Sequence, residues 1–166
     1  MKKLILLIII CTTFSSCFYF YEESENGGGD PFFSNYTPVV LDRNEFENSI
    51  EILEPIPVAE SSKIYIINDY IFINDKRTGF HIFDNTDPSN PIKKKFLKIP
   101  GATDIAIRND VLYINQATDL VVLTIDFTTL EISLNKRLKD VFPALTSPEG
   151  EWYYYEDEVV VNWILK

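Results

Sequence analysis

The sequence predicts an all-β protein with one short N-terminal helix, built as two propeller-blade-like four-stranded antiparallel sheets packed together and followed by a C-terminal strand region. Three observations lead there. The 166-residue chain is 46% hydrophobic and 14% aromatic, with many Ile and Val, a composition that favours strands over helices. From Lys63 onward the hydrophobic spacing has period two, as a half-buried strand requires. Finally, "IINDYIFIND", Ile66 to Asp75, returns 41 residues further on as "IRNDVLYINQ", Ile107 to Gln116. A repeat near that period with four strands per copy is the pattern of a propeller blade, and the length suits one domain with one core.

The chain opens with "MKKLILLIII", a positive start and an apolar run too short to span a bilayer, which reads as a secretory signal. Phe14-Ser15-Ser16-Cys17 resembles the lipobox of bacterial lipoproteins, in which the cysteine is lipidated and becomes the mature N-terminus. Phe14 stands where that pattern usually has an aliphatic residue. The expected organisation is therefore a signal peptide over 1–16, a lipid-anchored tether over 17–35, and a single β-rich domain over 36–166. Cys11 would leave with the signal, so Cys17 would be the one remaining thiol and no internal disulfide could form.

Within the tether, "FYFY" is suited to a lipid interface and the Gly-rich stretch to a flexible spacer. Glu22, Glu23 and Glu25 resemble the acidic export signal of surface lipoproteins in Bacteroidetes-type bacteria; a solvated tether is the plain alternative. "GGG" is not a phosphate loop, because no Lys-Ser or Lys-Thr follows it.

"LDRNEFENSI", Leu41 to Ile50, is the one helical stretch: Asp42 can cap it, Glu45 completes a capping-box pattern, and Phe46 and Ile50 share a face. Pro55 and Pro57 in "EILEPIPVAESS" forbid its continuation. Then come "KIYII", "YIFIN", "FHIFD" and "IKKKFLKI", and after them "TDIAI", "VLYIN", "LVVLTID" and "EISLNKRL". Asn68-Asp69 and Asn109-Asp110 are equivalent hairpin turns. "EVVVNW" reads as a buried final strand.

"FHIFD" and "VLTID" resemble the LVIVD repeat of bacterial propeller-like proteins, and "TDPSNP" at 86–91 resembles the Asp-Pro turn that follows it there. The second copy has "FTTLEI" in that place. The wider run from "YTPVVLDRNEFENSI" to "EVVVNW" resembles small Bacteroidetes-type lipoproteins carrying this repeat. The resemblance implies architecture and an outer-membrane, surface-exposed location. It carries no catalytic residues.

Four constellations bear on chemistry. "DNTDPSNP" crowds Asp84, Asn85, Asp87 and Asn90 together, as calcium would need, but Asx residues before Pro are also ordinary turn chemistry, and the turn reading is preferred. His81 is the only histidine and falls opposite Leu123 in the repeat, so a packed, hydrogen-bonded residue is expected. Lys93, Lys94, Lys95 and Lys98 read as protection of an exposed sheet edge. In "EWYYYEDEVVVNW" strict alternation would turn Trp152 and Tyr154 one way and Tyr153 and Tyr155 the other. Tyr153 and Tyr155 are the candidate ligand-binding residues, as a glycan-stacking platform. No metal site, catalytic residue or cofactor is expected.

The formal charge of −10 argues against nucleic acid as a partner, and also against a purely electrostatic hold on an anionic leaflet, which leaves the N-terminal lipid as the membrane contact. The expected function is a non-enzymatic binding or assembly module of the cell envelope with a protein or glycan partner. The alternatives are a glycan-binding surface lipoprotein and an envelope glycoside hydrolase using paired carboxylates. Two repeats are too few to close a ring alone. A capped monomer is expected, with the helix and the region ending in Trp163 as the caps, ahead of an oligomeric ring.

Overall fold

The computed structural model describes residues 34–154 and 156–166. The segment expected to be a signal peptide, Cys17, most of the expected tether and Tyr155 lie outside the described residues. Ser34–Lys166 forms one compact unit, mostly β, with antiparallel strands and one short helix.

Strand β1, Tyr36–Asp42, leads into helix α1, Arg43–Glu47. Asp42 caps this single turn, its carboxylate accepting from the amides of Asn44 and Glu45. The Pro-interrupted segment after it contributes a strand that the sequence reading missed, β2 at Glu51–Leu53. The first repeat follows as β3 (Ser61–Ile67), β4 (Tyr70–Asp75), β5 (Gly79–Asp84) and β6 (Ile92–Lys98). The second is β7 (Ala102–Arg108), β8 (Val111–Gln116), β9 (Asp119–Ile125) and β10 (Ile132–Leu138), and β11 (Glu158–Leu165) ends the chain.

These strands make three sheets. Sheet 1 has the order β2-β6-β5-β4-β3, sheet 2 the order β10-β9-β8-β7, and β1 pairs with β11. Each repeat is thus the expected four-stranded meander, and sheet 1 gains a fifth strand. The first hairpins of both repeats are alike: Ile67 pairs with Tyr70 and Arg108 with Val111. Asn68 and Asn109 hold φ of 49° and 55° in the turns between, the left-handed region that Asn tolerates. Gly79, after the next turn, is demanded by contact: a Cβ there would sit 2.0 Å from the carbonyl oxygen of Leu97.

Sheets 1 and 2 face each other across one hydrophobic core. Sheet 1 contributes Phe72, Phe80, Ile82 and Leu97, and sheet 2 contributes Ile105, Leu112, Ile114, Val121, Leu123 and Ile125. A second, smaller cluster joins Phe46 to Val39, Leu41, Ala117, Leu145, Val159 and Val161. The proposed end caps are corrected here. Phe46 of α1 and the β11 region pack with each other against the Ala117 turn, so neither lies over the outer face of sheet 1, where Ile64 and Ile66 stay 63% and 67% exposed.

The first and last strands of this unit meet. β1 and β11 pair from Tyr36 opposite Leu165 to Asp42 opposite Glu158. Ser34 and Asn35, assigned from sequence to the tether, are gripped by Glu149: Ser34 Oγ donates at 3.0 Å and the Asn35 amide at 2.9 Å. Lys166 donates to both residues' carbonyls, from Nζ to Ser34 at 2.6 Å and from its amide to Asn35 at 2.9 Å.

Candidate functional site

The aromatic segment does not alternate as expected. Residues 151–154 are irregular, not a strand, and the pairing that would enforce a period of two is absent. Trp152 and Tyr154 are the open rings, 63% and 87% exposed, whereas Tyr153 is half-buried and donates its hydroxyl to Glu158 Oε2 at 3.1 Å. Sequence reasoning assigned the candidate stacking surface to Tyr153 and Tyr155; Tyr155 lies outside the described residues, and among the described rings of the segment Trp152 and Tyr154 are more exposed than Tyr153. Beside Tyr154 runs a cleft of about 270 Å³ lined by Asp140, Phe142, Leu145, Tyr153, Tyr154 and Glu158 among others. An adjoining depression adds Arg43 and Lys139.

Beneath this cleft lies a charge network that the sequence did not disclose. Asp119 begins β9 with its side chain fully buried. Arg43 grips it through Nη1 at 3.2 Å and Nη2 at 2.6 Å, and Arg137 Nη1 donates at 2.9 Å. The Asp140 amide adds a fourth bond at 3.1 Å. Burial raises the Asp119 carboxyl, but the Asp140 amide and the two guanidiniums outweigh it and hold it below the usual carboxylate value. Glu47 in turn pairs with Lys139 and Arg43, and both guanidiniums stand over the Phe46 ring, at 5.5 Å and 5.2 Å. The arrangement ties α1 to β9 and β10. Its partners are far apart in sequence, so no motif marks them.

His81 is buried on the outer side of β5, Nε2 lying 2.9 Å from Asp75 Oδ2 and its ring 4.7 Å from that of Phe96. Asp75 also accepts from the amides of Ala59 at 2.9 Å and Glu60 at 2.7 Å. The pair therefore pins the segment after β2, and its burial keeps it from any substrate.

The lysine row is corrected in its role. β6 is not a free edge, because β2 pairs along Phe96–Lys98. Lys98 meets Glu51, Lys95 meets Glu54, and Lys93 Nζ donates to the Ile56 carbonyl at 2.7 Å. These lysines bind the β2 segment to the sheet.

"DNTDPSNP" is a turn stabilised by its own carboxylates. Asp84 Oδ1 accepts from the Thr86 amide and hydroxyl at 3.0 and 2.7 Å, and Asp87 Oδ1 from the Ser89 amide at 3.0 Å. The Thr86 bonds, with Lys94 behind them, bring the Asp84 carboxyl down to about 2. The second repeat keeps this device: Asp126 Oδ1 accepts from the Thr128 amide at 2.7 Å. Among the described residues no three His, Cys, Asp or Glu side chains gather as a metal-ligand set.

A further accessible feature is the outer face of sheet 1, where Ile64 and Ile66 are exposed and Ile71, Ile73 and Phe83 half-buried. Ile64 pairs with Ile73, Ile66 with Ile71, and Ile71 with Phe83, so five large apolar side chains share one side of three neighbouring strands. Period-two alternation groups all five on one side of the sheet but does not say whether that side faces the core or solvent.

Comparison with known proteins finds no matching family model, no matching curated protein and no matching solved structure.

Proposed function

We propose that this chain is a non-enzymatic binding or assembly module of the bacterial cell envelope, displayed at the outer membrane by a lipid on Cys17. The observation that carries the reading is the apolar face of Ile64, Ile66, Ile71, Ile73 and Phe83, with Ile64 and Ile66 more exposed than buried. Large contiguous apolar surfaces on soluble domains mark interaction sites. The buried polar groups support the same reading, because Asp75, Asp119 and His81 are engaged in joining elements.

Cys17→Ser tests the anchor. The substituted chain is expected to lose fatty-acid labelling and to leave the membrane fraction; continued labelling and membrane fractionation would overturn the lipoprotein reading.

Glycan binding is the second reading, favoured by Tyr154 standing open beside a cleft that holds Asp140 and Glu158, with Trp152 exposed two residues before it. Residues 34–166 contain both hydrophobic clusters and every described sheet, so this unit is produced alone and passed over immobilised polysaccharides. Retention that Trp152→Ala abolishes, with no reducing sugar released, supports a glycan-binding module. Sugar release that is lost in Asp140→Asn or Glu158→Gln would replace it with the hydrolase.

A further inference from the structure

The two repeats use opposite faces of equivalent hairpins. At the 41-residue offset, Ile64, Ile66, Ile71 and Ile73 of sheet 1 correspond to Ile105, Ile107, Leu112 and Ile114 of sheet 2. The four in sheet 2 lie in or against the core, whereas their counterparts lie on the outer face of sheet 1. The relation also holds in reverse. Tyr65, Tyr70 and Phe72 face the core from sheet 1, and their counterparts Ala106, Val111 and Tyr113 lie on the outer face of sheet 2, with Tyr113 39% exposed. The identical Asn-Asp turns fix this equivalence, since a slip of one residue would exchange the faces.

Sheet 2 is therefore stacked on sheet 1 head to tail, one side of the first against the other side of the second. Such a contact does not exhaust itself: each end of the stack keeps the face that its partner used inside. The outer face of sheet 1 carries the residue pattern that, in sheet 2, is already seated on the inner face of sheet 1. The matching seat outside the chain is the outer face of sheet 2, where Tyr113 pairs with Ala106 and Val122. A cleft of about 390 Å³ lies there, lined by Ala106, Tyr113, Leu120 and Phe142 among others.

We infer that the partner of the Ile64–Ile66–Ile71–Ile73 face is a second copy of this chain, docking through its Tyr113 face and continuing the intrachain stack. The inference rests on the binding-module reading and names its partner. Because the two faces differ, association is heterologous and leads to a ring or an open stack.

The test is sedimentation of residues 34–166 over micromolar to near-millimolar concentration, with Ile66→Asp and Tyr113→Asp as variants. Both sites are surface positions, and unchanged circular dichroism and melting temperature establish that the variants fold. The native sequence is expected to reach twice its monomer mass or more, and each variant alone to stay monomeric. An equimolar mixture of the two is expected to stop at a dimer, since each retains one of the two faces. Native protein that stays monomeric throughout overturns the inference while leaving the binding-module reading to be judged by polysaccharide retention. Native association in which one of the two variants still dimerises alone also overturns it, because it shows a self-complementary interface instead.

Discussion

Asp119 carries more of the molecule's internal electrostatics than any residue the sequence singled out. Its carboxylate is fully buried, and Arg137 beside it is 7% exposed, so removing the acid leaves two guanidiniums facing each other in a poorly hydrated site. Breaking a buried pair from one side costs about 3–5 kcal/mol, and Asp119→Ala is expected to lose stability on that scale in urea unfolding. The pH dependence follows from the depressed carboxyl of Asp119 in the fold. Its stabilising contribution is complete above the ordinary Asp value of about 4, and is lost as pH falls through the lower folded value. Native protein should thus weaken steeply below about pH 4, and Asp119→Asn should start weaker and show a flatter acid limb. His81 was legible as a packed residue because it stood at an apolar position of a repeat. Asp119 was not legible, because Arg43 and Arg137 reach it from separate elements that only the fold brings together.

The eight strands of the repeats were legible from alternation and turn chemistry, since their hydrogen-bonding partners are neighbours in sequence. β1 and β2 were not. β1 contains Pro38 and finds its partner at the far end of the chain. β2 is three residues long and exists only because β6 offers an edge. The helix was read with its cap correct and its length overstated: one turn forms, and Ile50 leaves it to pack against the main core. The two Asn turns give a test of repeat equivalence at this level. Asn68→Val and Asn109→Val each force a β-branched residue into the left-handed region, at a cost of about 1–2 kcal/mol. Asn→Gly at either site should be nearly neutral by comparison. Chemical denaturation should show matching losses for the two Val variants; a loss at one turn alone would mean that the hairpins are not equivalent.

The whole molecule is decided by a choice of face, and alternation cannot make that choice. Both sides of β3 and β4 are apolar, with Ile64, Ile66, Ile71 and Ile73 on one side and Tyr65, Ile67, Tyr70 and Phe72 on the other. The sequence reading supplied the blades but placed the helix and the Trp163 region over their ends. Those elements instead share a cluster of their own beside the Ala117 turn, and the Ile64 and Ile66 part of the outer face of sheet 1 stays open. Head-to-tail use of a repeated hairpin can be read by thiol labelling of residues 34–166, which contain no native cysteine. Ile64→Cys and Ile105→Cys place the same probe at equivalent repeat positions, one 63% and the other 4% exposed. At high dilution, where self-association is absent, position 64 is expected to label rapidly and position 105 only after unfolding; protection at 64 with rapid labelling at 105, or equal rates at both, would show that the two repeats do not use opposite faces.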